Sequence, residues 1–256
     1  MGKNLFFTGG LMKSGTTLLQ KMLNMHPDVC CLKEQDLNKL LKLFAKENDL
    51  IKPFVDEFEL KNYFPLMVKK ILESKCEKKL MGLKDNKFLL DNINEIPQVF
   101  QGSKMIFIVR NPIDNLLSWW DHNDRLAKLG LTKLEENKYD FFISRSHLWS
   151  RVNEKILSSY NNHRHDILVL RYEDIITNKE LSLEKAFLFL KVKTSKNILE
   201  NIIEKTSFSY MKRNAQDSDF FKEGRNDFGK SSDLDQKLKI EIEKITNKVS
   251  KSWNYL

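Results

Sequence analysis

Two stretches of the sequence carry groups suited to holding anions. The first is GGLMKSGTTLLQKML, residues 9–23, which follows the apolar residues Leu5, Phe6 and Phe7. Small and hydroxyl residues at a strand-to-helix turn leave backbone N–H groups exposed, and the helix that follows adds the positive end of its dipole. Phosphate suits such a turn. The nucleotide-kinase form of the loop reads GxxxxGK[ST], with its lysine after the last glycine and a hydroxyl placed to hold magnesium. Here Lys13 precedes Ser14 and Gly15, and Thr16 and Thr17 follow. An ATP-dependent nucleotide or small-molecule kinase is therefore the second reading. The second stretch is RNPIDNLLSWWDH, residues 110–122: an arginine, a turn through Asn111 and Pro112, then a helix bearing Ser118. Arginine offers a planar fork matching phosphate oxygens, and serine adds a neutral donor. Taken singly, Arg110 reads as a surface ion pair and Ser118 as a hydroxyl bonding its own helix backbone. Beside the first loop they read differently, because a nucleotide with two separate phosphates needs a second anion site at a neighbouring strand end.

The elements that must position these groups are readable from periodicity. Residues 4–8 read as a buried strand, and Thr16 to Met25 as a helix with Leu18, Leu19, Met22 and Leu23 on one face. His26-Pro27-Asp28 stops that helix. Residues 34–75 read as helical, with a break near Pro53. MIFIVR, 105–110, and ILVLRY, 167–172, are short apolar runs, both suited to buried parallel strands. A long helical pattern through Phe142, Trp149, Val152, Ile156 and Tyr160 separates them, and a further helix is expected from Ser182 to Leu190. Alternating strands and helices predict an α/β fold, a three-layer sandwich with a central parallel sheet. In such sheets the ligand lies beyond the carboxyl ends of the strands, where the 9–17 loop and Arg110 both fall.

At 256 residues with 41% hydrophobic content, one domain over 1–256 is expected. No apolar run approaches the roughly 18 residues of a membrane span. The three cysteines, Cys30, Cys31 and Cys76, do not read as a disulfide framework, which fits a reducing, cytoplasmic setting. The net charge of +8 is spread along the chain, without zinc-finger spacing or an RNA-binding aromatic signature, so it reads as an anionic cofactor or merely a lysine-rich composition, and a nucleic-acid partner is not expected.

KSGTT, RNPxDxxxS, RYED, TSFxxMK and a glycine-containing basic loop near the C-terminus, in that order, resemble the sulfotransferase family. The resemblance spans Leu5 to Tyr255 and implies a P-loop NTPase-like sulfotransferase fold. It also implies 3'-phosphoadenosine 5'-phosphosulfate (PAPS) as sulfuryl donor, adenosine 3',5'-bisphosphate (PAP) as product, and no metal. Lys13, Ser14, Gly15, Thr16 and Thr17 match the loop that holds the 5'-phosphosulfate, with Lys13 near the bridging oxygen. Arg110 and Ser118 match the pair that binds the 3'-phosphate. Tyr172 matches a tyrosine near the adenine, as do Thr206, Ser207, Phe208 and Met211 of TSFSYMK. In FFKEGRNDFGKSS, 220–232, Phe220 and Gly224 match the family's lid, Lys222 replaces an arginine on the 3'-phosphate, and Arg225 could supply a second charge.

Lys84, in GLKDNKF, matches the lysine expected to stabilise the transferring group. Small-molecule members of the family place a catalytic histidine two residues later, where this chain has Asn86. HPDVCCLKEQ is similar instead to the carboxylate-using branch that includes the protein-tyrosine sulfotransferases, with Lys33 on the catalytic first glutamate and Glu34 on the second. Glu34, Asp85 and His122 therefore compete, in that order, for the role of general base. A catalytically impaired PAPS- or PAP-binding protein is a further alternative. The acceptor, a small molecule, glycan or peptide, has no readable code. Trp119, Trp120 and Phe142 suit an apolar pocket or plain core, and His26, His147, His163 and His165 read as structural or exposed.

Overall fold

The computed structural model describes residues 5–33, 57–133, 137–213 and 234–255, including side chains except at 57–62. Five strands form one sheet: β1 (Leu5–Gly10), β2 (Val29–Leu32), β3 (Leu80–Lys84), β4 (Lys104–Val109) and β5 (Ile167–Arg171). Their order is β2-β3-β1-β4-β5, and every pairing is parallel. Helices occupy the connections: α1 (Thr16–Asn24), α2 (Glu57–Glu73), α3 (Asn86–Asp91), α4 (Ile96–Val99), α5 (Pro112–Lys128) and α6 (Lys138–Asn162). Then come α7 (Tyr172–Thr177), α8 (Lys179–Phe189), α9 (Lys196–Lys205), α10 (Phe208–Arg213) and α11 (Gln236–Ser252).

Strand alternation divides the core into two faces. Phe7, Leu83, Met105, Phe107 and Ile167 point to one, against residues of α2, α3, α5, α6 and α11. Phe6, Ile106, Ile108 and Leu170 point to the other, against α1, α8 and α9. Helices therefore cover both faces, which explains why β4 is apolar along its length. β1 and β4 are neighbours, yet β1 leads into α1 on the second face and β4 into α5 on the first. That divergence opens a crevice between their carboxyl ends.

The sandwich agrees with the sequence reading, with corrections. β1 extends to Gly10 because its register continues to Ile108 of β4. β2 and β3 are strands that hydrophobic pattern did not reveal, one being four residues long and the other, LMGLK, carrying a glycine. α11 was likewise unforeseen. Of the helix expected over 34–75, Glu57–Glu73 is observed, while Pro53 lies outside the described residues. Cys30 and Cys76 are joined as a disulfide, leaving Cys31 free and buried. Spacing could not show this pair, because what brings it together is the packing of both residues into one core.

His26 is fully buried, as a structural histidine should be. The Asp28 N–H donates to its Nδ1 (3.1 Å) and its Nε2 faces the Lys193 carbonyl (3.2 Å), which fixes the neutral tautomer with the proton on Nε2. Lys78 donates through Nζ to the carbonyls of Asn24, His26 and Val29, each at 3.0 Å, and pins the same turn. Burial pushes the His26 pKa below its ordinary 6.5, against the opposing pull of the Lys193 carbonyl and Asp28. The unfolded chain then takes up a proton that the folded chain refuses. Stability should be full above pH 6.5 and decline as pH falls towards the folded value. Thermal melts across that window should show a falling midpoint, with a shallower slope in His26→Gln; an equally steep slope in the variant refutes the assignment.

Candidate active site

Residues 11–15 connect β1 to α1 as a tight loop. The hydroxyl of buried Ser14 donates to the Leu11 carbonyl (2.6 Å), and its amide donates to the same oxygen (3.1 Å), so Ser14 closes the loop on itself. Lys13 (φ 68°) and Gly15 (φ 101°) both adopt left-handed backbone, the conformation with which loops turn N–H groups towards an anion. Among the described residues no side chain caps α1, and no acidic residue stands in its first turn. The first-turn amides, including those of Thr16 and Thr17, thus keep a field suited to an anion.

Arg110 follows β4 directly and reaches this loop. Its Nη1 donates to the Lys13 carbonyl at 3.0 Å, and its guanidinium lies 4.5 Å from the centroid of the Tyr172 ring. The Arg110 Nε is buried without a partner among the described residues. Tyr172 begins α7 and its ring lies against Gly15, so that a Cβ built there would overlap the ring. Burial raises the Tyr172 pKa, with Arg110 pulling it down. Lys13, Gly15, Arg110 and Tyr172 therefore form one contiguous group. Period-two alternation explains why: Ile106, Ile108 and then Arg110, and Leu168, Leu170 and then Tyr172, continue the strand face on which α1 packs.

Lys84 ends β3 opposite Thr8 of β1 and is only 7% exposed. The turn after it abuts β1 closely, since a Cβ on Gly9 would stand 3.3 Å from the Asn86 Cα. Asp85 has a structural task. Its Oδ1 accepts the Phe88 N–H at 3.0 Å and caps α3, which commits the carboxylate to holding the turn. His122 is half-buried on α5, and Arg125 donates to its Nδ1 (3.1 Å), placing the imidazole proton on Nε2. Burial, then the Lys13 and Arg125 charges, push its pKa down to about 4. In this arrangement His122 is a neutral imidazole that presents its Nε2–H. Of the three candidates for the base, Glu34 lies outside the described residues, as do the lid residues Phe220, Lys222, Gly224 and Arg225.

Ser118 lies half-buried on α5, the helix that begins beside Arg110. Thr206 is buried, its hydroxyl donating to the Ile202 carbonyl at 2.6 Å at the end of α9. The Ser207 hydroxyl accepts from the Tyr210 amide (3.3 Å) at the start of α10, while Phe208 and Met211 are half-buried. Trp119, Phe141 and Phe142 pack as core, edge to face, with Trp120 against them. Sequence reasoning missed Asn115, Glu173 and Tyr255. Asn115 is fully buried and donates from Nδ2 to the Met12 carbonyl at 3.0 Å, so α5 grips one loop carbonyl while Arg110 grips the next. An amide on the apolar side of PIDNLLSWW is the one signal that could have found it.

Fold and site together define an α/β protein with a nucleotide-type anion loop at the switch point of a parallel sheet. The family model described as "Sulfotransferase domain" matches residues 5–251, and the chain belongs to that family. Human sulfotransferase 1C2 is 27% identical over 112 residues, a match covering 43% of this chain and 38% of that protein. Mouse sulfotransferase SULT7A1, solved with PAP, superposes with a TM-score of 0.67 at 18% identity, covering 97% of this chain and 84% of its own. The sulfotransferase domain from the curacin biosynthetic pathway gives 0.60 at 15% identity, covering 100% and 99%. At these identities the structural likeness speaks for the fold.

Proposed function

We propose that this chain is a PAPS-dependent sulfotransferase, moving a sulfuryl group to a hydroxyl or amine of an acceptor that its sequence does not encode legibly. The observation that carries the reading is the contact between the two anion grips: Arg110 Nη1 donates to the carbonyl of Lys13. An arginine from one strand end that reaches the backbone of the loop carrying Lys13 brings two cationic residues to one crevice, which suits a nucleotide anionic at both ends. Among the described residues, the buried, unpartnered Nε of Arg110 and the uncapped N-terminus of α1 fit that ligand. PAP in the SULT7A1 structure agrees with it. The single domain expected over 1–256 and the cytoplasmic setting belong to the same proposal. The first is supported by the family match and the second no longer by the cysteines, since Cys30 and Cys76 are joined. No described helix is long and apolar enough to cross a membrane.

On this reading the donor brings an activated sulfuryl group, and the chain supplies position and charge. The 13–17 loop holds the 5' end through backbone amides and Lys13, Arg110 and Ser118 hold the 3'-phosphate, and the Tyr172 ring packs near the base. Lys13 and Lys84 offset negative charge that builds up at transfer, as cationic clamps do in phosphoryl transfer. The acceptor proton is assigned first to Glu34, then to Asp85, whose Oδ1 already caps α3, and last to His122, whose Nδ1 already accepts from Arg125. Tyr172, Thr206, Ser207, Phe208 and Met211 are the residues proposed for the adenine, and Phe220, Lys222, Gly224 and Arg225 those proposed for the donor's lid.

Calorimetry with PAP, and separately with ATP and magnesium, tests the donor. PAP should bind more tightly; tighter ATP would favour the kinase reading. Arg110→Ala should weaken PAP by about 1.5–3 kcal/mol, the scale of hydrogen bonds to a charged group, and leave adenosine 5'-phosphate far less affected. Equal losses for the two nucleotides would contradict the role of Arg110.

A further inference from the structure

Beyond the residues that would touch the donor, a strut runs from α11 to the turn that carries Arg110. Asn111 caps α5 with its side chain, whose Oδ1 accepts the amides of Ile113 (3.0 Å) and Asp114 (3.3 Å). Its own amide donates to Glu173 Oε1 at 2.9 Å. The other oxygen of that carboxylate, Oε2, accepts the Tyr255 hydroxyl at 2.9 Å. Tyr255 lies just beyond α11, its amide bonded to the Ser250 carbonyl (2.9 Å), and the Arg171 guanidinium lies 4.7 Å from its ring centroid. Trp149 completes the enclosure by donating from Nε1 to the Arg110 carbonyl at 3.2 Å. Burial and the neighbouring Glu173 raise the Tyr255 pKa, so its hydroxyl keeps the proton that it donates.

We infer that Glu173 and Tyr255 are positioning residues for the 3'-phosphate grip: the carboxylate clamps the Asn111 amide, and the tyrosine holds the carboxylate, so that Arg110 leaves β4 at one fixed angle. Glu173 adjoins Tyr172, whose ring faces Arg110, so the Tyr-Glu pair holds the arginine from the side chain and from the backbone at once. A carboxylate is well suited to the task, because it accepts from both sides without placing a second donor near the arginine.

The inference rests on Arg110 as the 3'-phosphate residue, and the test separates the two. Calorimetry compares PAP with adenosine 5'-phosphate, which lacks the 3' group. Tyr255→Phe should weaken PAP about threefold to tenfold, the effect of one hydrogen bond, and leave adenosine 5'-phosphate within about twofold. Added to Arg110→Ala, Tyr255→Phe should cost nothing more. Glu173→Ala should give the larger loss with the same selectivity. A purely structural role would weaken both nucleotides alike, or persist in full without Arg110, and either outcome overturns the inference. If Arg110→Ala weakens PAP and Tyr255→Phe does not, the strut alone fails; if Arg110→Ala itself changes nothing, the reading beneath it fails as well.

Discussion

Gly15→Ala should lose donor binding and much of its stability, whereas Gly130→Ala should lose only what its backbone conformation costs. Both glycines have positive φ, 101° and 70°. The left-handed backbone alone costs a residue with a Cβ about 1–2 kcal/mol. They differ in what a Cβ would meet. At Gly130 nothing lies within 4 Å, while at Gly15 the new atom would overlap the Tyr172 ring, with Cε2 at 2.9 Å, and press on Ile108 Cδ1 at 3.2 Å. Ile108 belongs to β4 and has no room to retreat, so the ring must move, and with it the surface on which the Arg110 guanidinium rests. Overpacking of this kind adds about 1–3 kcal/mol. Chemical denaturation should therefore give a loss of about 2–5 kcal/mol for Gly15→Ala and about 1–2 kcal/mol for Gly130→Ala. Calorimetry should show PAP binding to Gly15→Ala at least about tenfold weaker. Equal stability losses for the two variants would mean that Tyr172 is free to turn aside, and that its packing on the loop matters little.

What could be read in the sequence is what local chemistry sets. The loop announces itself by composition, Arg110 by its place after an apolar run, and the Asn111-Pro112 turn by the constraint that proline places on its neighbour. Even the meeting of Lys13 with Arg110 was implicit, since a parallel sheet gathers its strand ends at one edge. Other features depend on contacts between distant parts of the chain. The Tyr255 hydroxyl meets Glu173, and Cys30 meets Cys76, only because helices and strands pack them together. No periodicity records such a pairing. Asp85 is a different case: Asp-Asn-Lys-Phe carries an ordinary N-cap signal for α3, and attention to charge beside Lys84 concealed it. His122 is similar, because only the three-dimensional arrangement shows Arg125 occupying Nδ1.

Lys84→Met should reduce turnover by about 100- to 1,000-fold, the usual loss when one preorganised donor to a developing charge is removed. Three observations converge on this residue. It ends β3 in register with Thr8, so it emerges beside the β1–α1 loop. The turn that follows it packs on Gly9 and is held by the Asp85 cap, which fixes the direction in which the side chain departs. It is also almost entirely withdrawn from water, where a charge acts more strongly than at the surface. Burial of a lysine is costly in itself, and a fold that keeps one at the mouth of an anion crevice gives up stability for a field. Methionine retains the aliphatic stem and its packing, so the melting temperature should shift by no more than a few degrees. PAP lacks the sulfuryl group, so its affinity should change by less than about fivefold, and the loss should fall on kcat. A variant that weakens PAP and slows turnover in equal measure would make Lys84 a nucleotide-binding residue, and stabilisation of the transferring group would then rest with Lys13.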